Sequence, residues 1–126
     1  MTPRPAGEAR RDPYTDGLIL EIGEDHYIVP LHRLAALTSR RERRIPVSRR
    51  YLGVGGHYFD AEIHLSLTRS RLGHALVLWS PGAIYTIPLA ELLDVVHARA
   101  QTVGISRIVT DAEILTTSNQ AALEGC

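Results

Sequence analysis

The chain has 126 residues, enough for one domain that buries a real core without disulfide or metal staples. Its 44% hydrophobic and 22% charged content is ordinary for a globular protein, and fourteen basic residues against fourteen acids leave it formally neutral. Neutrality excludes wholesale electrostatic coating of nucleic acid or membrane, but leaves room for a local patch, because screening confines charge effects to about 8–10 Å.

Every basic residue is arginine. A GC-rich codon bias explains this, and so does a need for planar, bidentate guanidinium groups. The one cysteine, Cys126, excludes an intrachain disulfide and a cysteine-based zinc site, so a reducing cytoplasm is the expected compartment. The N-terminal residues lack the apolar core of a secretory signal. The run ALVLW (75–79) is far shorter than the roughly 20 residues of a membrane span.

Residues 1–16, rich in proline, arginine and small polar residues, read as a flexible arm preceding a domain over 17–109. From there an internal similarity dominates. At an offset of 58 residues, LILEIGEDHYIVPLHRLAAL (18–37) aligns without gaps with LVLWSPGAIYTIPLAELLDV (76–95). Identities fall at Leu18/Leu76, Leu20/Leu78, Tyr27/Tyr85, Pro30/Pro88, Leu31/Leu89 and Leu34/Leu92. Each copy reads as strand, tight turn, strand, then helix, with the proline at the helix start, where its missing N–H costs nothing. A duplicated ββα unit is one explanation. The other is chance, since strand–Pro–Leu–x–x–Leu is a common joint. The first helix is short; the second is expected from about 88 to 103, with Gly104 ending it.

SRRERRIPVSRR (39–50) follows the first helix and places six arginines and one glutamate within residues 40–50, a charge of +5 against −5 for the remainder. If RRERR continues the helix, Arg40 and Arg44 share a face. Ile45-Pro46-Val47 then starts an extended segment carrying Arg49 and Arg50. LGVGG (52–56) reads as a turn, and HYFDAEIHLSLT (57–68) as the best strand in the chain. Its Phe59, Ala61, Ile63, Leu65 and Leu67 alternate with polar residues, as in a half-buried antiparallel strand. RSRLGH (69–74) turns back into the second copy. Thr110-Asp111-Ala112-Glu113 has capping-box form, so 110–126 reads as a weak helix or a tail.

Asp60, Glu62 and His64 share one face of the long strand and are the metal candidates; the competing reading is a solvated polar face. The six histidines form no ligand spacing, and no serine sits in a nucleophile elbow. LGVGG lacks the dinucleotide-binding spacing and leads into a strand. Catalysis has no specific support, and no cofactor is expected.

The candidate binding surface is therefore Arg40, Arg41, Arg43, Arg44, Arg49 and Arg50, for phosphate or for an acidic partner. The expected fold is α+β: a mainly antiparallel sheet of five to seven strands, open or closed into a small barrel or roll, with one main and one short helix. The expected function is a non-catalytic cytoplasmic binding or adaptor module, self-associating or bound to a protein partner through the arginines. The alternative is a nucleic-acid- or (cyclic) nucleotide-binding module using the same residues.

Two family resemblances bear on this. Arg40-x-x-x-Arg44 before a β-rich segment, followed by Thr68-x-Ser70-x-x-Gly73, resembles the start of a PilZ domain, which implies cyclic-dinucleotide binding. The family has Asp or Asn where this chain has Thr68. Separately, YTIPLAELLDVV (85–96) is similar to the last strand and closing helix of pleckstrin-homology-like domains, which implies a small β barrel that binds proteins or phospholipids.

Overall fold

The computed structural model describes residues 2–109, with the side chains of residues 2, 3, 62, 64 and 109 left aside. The elements in chain order are β1 (Thr2–Arg11), β2 (Gly17–Ile22), β3 (Asp25–Pro30), α1 (Leu31–Thr38), β4 (Arg44–Leu52), β5 (Tyr58–Arg69), β6 (Ala75–Ser80), β7 (Ala83–Pro88), α2 (Leu89–Val96) and β8 (Thr102–Val109). Each strand pairs antiparallel with the next, and β8 returns to β1, so the sheet closes into a barrel. An antiparallel α+β architecture with a small barrel holds, but the described residues form eight strands rather than five to seven.

The additional strand comes from the segment expected to be a flexible arm. β1 pairs with β2 from Gly7 to Arg11 and with β8 from Thr2 to Arg10. Proline-rich composition argues against a strand interior, but Pro3 and Pro5 lie where β1 has only β8 beside it, and the register slips between Pro5 and Gly7. Ala9 is fully buried, and a Cβ on Gly7 would stand 1.8 Å from the Glu21 carbonyl oxygen, so the two strands approach at van der Waals limit there.

The core is one aliphatic cluster: Leu18, Leu20 and Val29 from the first hairpin, Leu76, Leu78 and Ile87 from the second, Ile45, Val47, Leu65, Leu67, Val103 and Ile105 from the strands between. Leu34 and Leu37 of α1 and Leu92 and Val95 of α2 complete it. Each fully buried Leu or Ile contributes roughly 1.5–3 kcal/mol.

Both helices have eight residues. Pro30 and Pro88 are their N-caps in extended backbone, and the first N–H of each is taken by a loop carbonyl, Leu31 N to Asp16 O and Leu89 N to His74 O, both 3.0 Å. Both end through a left-handed residue, Arg40 at φ 64° and Ala98 at φ 60°. This corrects two expectations. The second helix stops at Val96 instead of about 103, and Gly104 lies inside β8. The arginine run does not continue α1, so Arg40 and Arg44 share no helix face; Arg40 ends the helix and Arg44 opens β4.

β5 is the long strand expected, but its alternation does not bury Phe59, which is 53% exposed. β6 pairs only with Ser66–Arg69, so the β4–β5 hairpin runs past the barrel, and Phe59 stacks on Tyr51 at 5.4 Å instead of entering the core. The expected helix or tail over 110–126, including Cys126, lies outside the described residues. Among the described residues no helix is long and apolar enough to cross a membrane.

Candidate functional site

The tight turn after α1 and the β5–β6 loop lie side by side and form an open cleft of about 460 Å³, lined by Arg40, Glu42, Arg43, Arg69, Ser70, Arg71, Leu72 and Gly73. Its volume lies within the range of small-molecule sites. Local structure explains the convergence. Helix α1 ends at Thr38; the left-handed Arg40 reverses the chain, with Ser39 N bonding Ala35 O at 2.9 Å and Glu42 N bonding Ala36 O at 3.0 Å. The opposite wall is set by Arg69, whose Nη1 donates to the Thr38 carbonyl at 3.0 Å and ties the end of β5 to the end of α1. Gly73, at φ +77°, leaves room between them. A Cβ there would lie 3.1 Å from Arg69 Nη2 and 4.0 Å from Arg40 Nη2.

Electrostatically the cleft holds four arginines and one glutamate. Among the described residues the side chains of Arg40, Arg43, Arg71 and Glu42 make no hydrogen bond or ion pair. Grouping like charges costs on the order of 0.5 kcal/mol per pair even at water-like screening, a cost an anion would reverse. Guanidinium groups offer a planar fork of donors suited to phosphate oxygens.

The six arginines singled out from the sequence divide into separate environments. Arg40 and Arg43 face the cleft. Arg41 donates its Nε to Ser39 Oγ at 3.1 Å. Arg44 borders a separate, more open hollow of about 470 Å³ with Pro46, Leu65 and Ser66. Arg49 is paired with Asp25 and lies over the Tyr51 ring at 4.9 Å. Arg50 is held by two carboxylates, Asp60 through its Nε at 2.9 Å and Asp12 through its Nη2 at 2.9 Å. The hydrogen bonds it donates to Asp60, then to Asp12, hold the Arg50 guanidinium above its ordinary pKa. Arg49 and Arg50 are thus spent on the fold.

Sequence reasoning missed Arg69 and Arg71. Their signal was present, since they flank Ser70 within the Thr68–Gly73 stretch that carried the PilZ resemblance. Of the residues in that resemblance, Arg40, Ser70 and Gly73 line the cleft, whereas Arg44 does not.

A second cleft of about 290 Å³ lies beside the Asp12–Arg50–Asp60 network, between Tyr14, Thr15, Tyr58 and Phe59. Asp60 is committed to Arg50 there, while the side chains of Glu62 and His64 lie outside the description. Among the described residues no group of three His, Cys, Asp or Glu is placed to hold a metal ion. Compared with known proteins, the chain matches no family model, no curated protein and no solved structure.

Proposed function

We propose that the protein is a non-catalytic module that binds a phosphorylated ligand, of the nucleotide class, in the cleft of Arg40, Arg43, Arg69 and Arg71. One observation carries this reading: Arg40, Arg43 and Arg71 converge, with Glu42 beside them, and make no ion pair among the described residues, while the neighbouring Arg49 and Arg50 are neutralised by Asp25, Asp12 and Asp60. Arg10, Arg11, Arg49, Arg50 and Arg99 are paired with carboxylates, whereas the cleft gathers several guanidinium groups that are not, and such a gathering suits an anion from outside. Cyclic dinucleotides, which the PilZ resemblance implies, belong to this class, and such ligands occur in the cytoplasm. The test is calorimetric titration of the whole chain with inorganic pyrophosphate, ATP, a cyclic dinucleotide and a short oligonucleotide, at low and raised salt. Binding that weakens as salt rises supports the reading. Absence of binding to all four at low salt refutes it.

A second reading, contact with a protein partner or a second copy, draws on a different surface. Leu52, Val54, Tyr58 and Phe59 are exposed together on the β4–β5 hairpin. Clustered apolar residues of this kind mark association surfaces. Sedimentation of the Val54→Ser, Tyr58→Ser double variant against the unsubstituted chain tests it: a dimer lost in the variant supports the reading, and a monomer in both refutes it.

A further inference from the structure

The offset of 58 residues seen in the two hairpins extends through the whole barrel. Pairs of hydrogen bonds recur at it: Asp12 N to Gly17 O and Ser70 N to Ala75 O, Leu31 N to Asp16 O and Leu89 N to His74 O, Ser39 N to Ala35 O and His97 N to Leu93 O, Glu42 N to Ala36 O and Ala100 N to Asp94 O. The two left-handed residues, Arg40 and Ala98, are equivalent. So are core residues Ala9 and Leu67, Leu37 and Val95, Ile45 and Val103, Val47 and Ile105. The two strand pairs joining the halves repeat as well: Ala9↔Val103 in β1–β8 corresponds to Leu67↔Ile45 in β5–β4, and a register shift follows at the equivalent place in each.

One side chain outside the core obeys the same rule. Arg11 Nη1 donates to the Val96 carbonyl at 3.1 Å, and Arg69 Nη1 donates to the Thr38 carbonyl at 3.0 Å. These are equivalent donors on equivalent helix ends. The other cleft arginines do not repeat. Across from Arg40, Arg43 and Arg71 stand Ala98, Gln101 and Pro13, and across from Ser70 stands the carboxylate of Asp12. The second half builds the same turn, cap and brace without those three arginines.

We infer that the barrel is a duplicated β-β-β-α-β unit in which one of two equivalent sides has been converted to a phosphoryl site, with Arg40, Arg43 and Arg71 as ligand contacts and Arg69, like Arg11, as a positioning brace. The inference rests on the reading of the cleft as a phosphate site and adds a division of labour and a stoichiometry of one ligand per chain. The sister side is its internal control: a scaffold residue recurs in both halves, whereas a ligand contact occurs in one.

The experiment exchanges the cleft residues for those of the sister side. In the full chain, Arg40→Ala, Arg43→Gln and Arg71→Pro are combined, and a companion variant carries Arg71→Ala in case proline disturbs the loop. Pyrophosphate affinity and the urea midpoint are measured for both. The expected result is at least tenfold weaker binding with an unchanged midpoint. Arg69→Leu and Arg11→Leu should each lower the midpoint by a similar amount. Arg69→Lys, which keeps the charge but not the planar fork, should restore affinity more fully than stability. Retained pyrophosphate binding in both exchange variants, or a midpoint that falls in both, overturns the division of labour. A stoichiometry of two in the unsubstituted chain overturns the one-sided site. Failure of the unsubstituted chain to bind pyrophosphate refutes a phosphate site itself, while the matched effects of Arg11→Leu and Arg69→Leu still decide the duplication.

Discussion

Arg50 donates to the Asp12 carboxylate at 2.9 Å, joining the loop after β1 to β4 across 38 residues of sequence. The Asp12 side chain is fully enclosed, and the Tyr14 N–H at 3.1 Å and the Thr15 hydroxyl also donate to it. Burial alone raises the pKa of this carboxyl, but the bonds from Arg50, Thr15 and Tyr14 together outweigh it and hold the group below its ordinary 3.8. A carboxyl depressed in the folded state contributes stability that is fully present above the unfolded pKa. That stability is lost as pH falls through the folded value. Urea midpoints should therefore hold constant from neutrality to mildly acid pH and decline below the ordinary aspartate range. Asp12→Ala should remove about 3 kcal/mol at pH 7, because it leaves a buried guanidinium short of one partner, and should flatten the acid decline. An unchanged midpoint at pH 7 would show that Asp60 alone satisfies Arg50.

How far the fold was legible follows from where the periodic signal lay. The two hairpins and their prolines could be read because Leu18/Leu76, Leu20/Leu78 and Leu34/Leu92 repeat apolar residues at strand and helix periods. β1 could not, because TPRPAGEARR has little strand propensity of its own and is held by pairing on both sides. The end of α2 was misplaced because the stop is a left-handed alanine, Ala98, which looks like a helix former in sequence. The cleft was half legible. The charge run announced Arg40 and Arg43, but the loss of Arg49 and Arg50 to Asp25, Asp12 and Asp60, and the arrival of Arg69 and Arg71, depend on contacts across long sequence separations.

The N-terminal strand should be as necessary as any other. Gly7→Ala places a methyl within 1.8 Å of the Glu21 carbonyl, a backbone atom that cannot swing aside. Either β1 separates from β2 or the barrel distorts, at a cost of about 3 kcal/mol or more. Hydrogen exchange should then show lost protection at the amides that face β1 within residues 18–22 of β2 and 102–105 of β8. Unaltered exchange at these amides would mean that β1 is dispensable.

Equivalent core positions should respond alike. Leu34 and Leu92 are 3% and 1% exposed, and each anchors its helix in the shared aliphatic cluster. Leu→Ala at either site should cost about 2–5 kcal/mol from lost burial and the cavity left behind. The two values should agree within about 1 kcal/mol, since each residue occupies the same place in a unit of the same form. Chemical denaturation of the two single variants measures this directly, and a much smaller loss at one would show that its helix is held by contacts outside the core.

Arg40 separates stability from binding. Its φ of 64° lies in the left-handed region, which costs a non-glycine residue roughly 1–2 kcal/mol. Glycine removes that strain, although its greater freedom in the unfolded chain returns part of the gain. Arg40→Gly should therefore raise stability by up to about 1 kcal/mol while removing one cation from the cleft. Among the described residues the Arg40 side chain makes no hydrogen bond or ion pair, and its backbone N–H, which donates to the Leu37 carbonyl at 3.2 Å, is kept by glycine, so the substitution forfeits no polar contact within the chain. A higher urea midpoint together with weaker binding of pyrophosphate would mean that the arginine is kept at a conformational cost for the sake of a ligand. A higher midpoint with undiminished affinity would assign Arg40 to neither the fold nor the site.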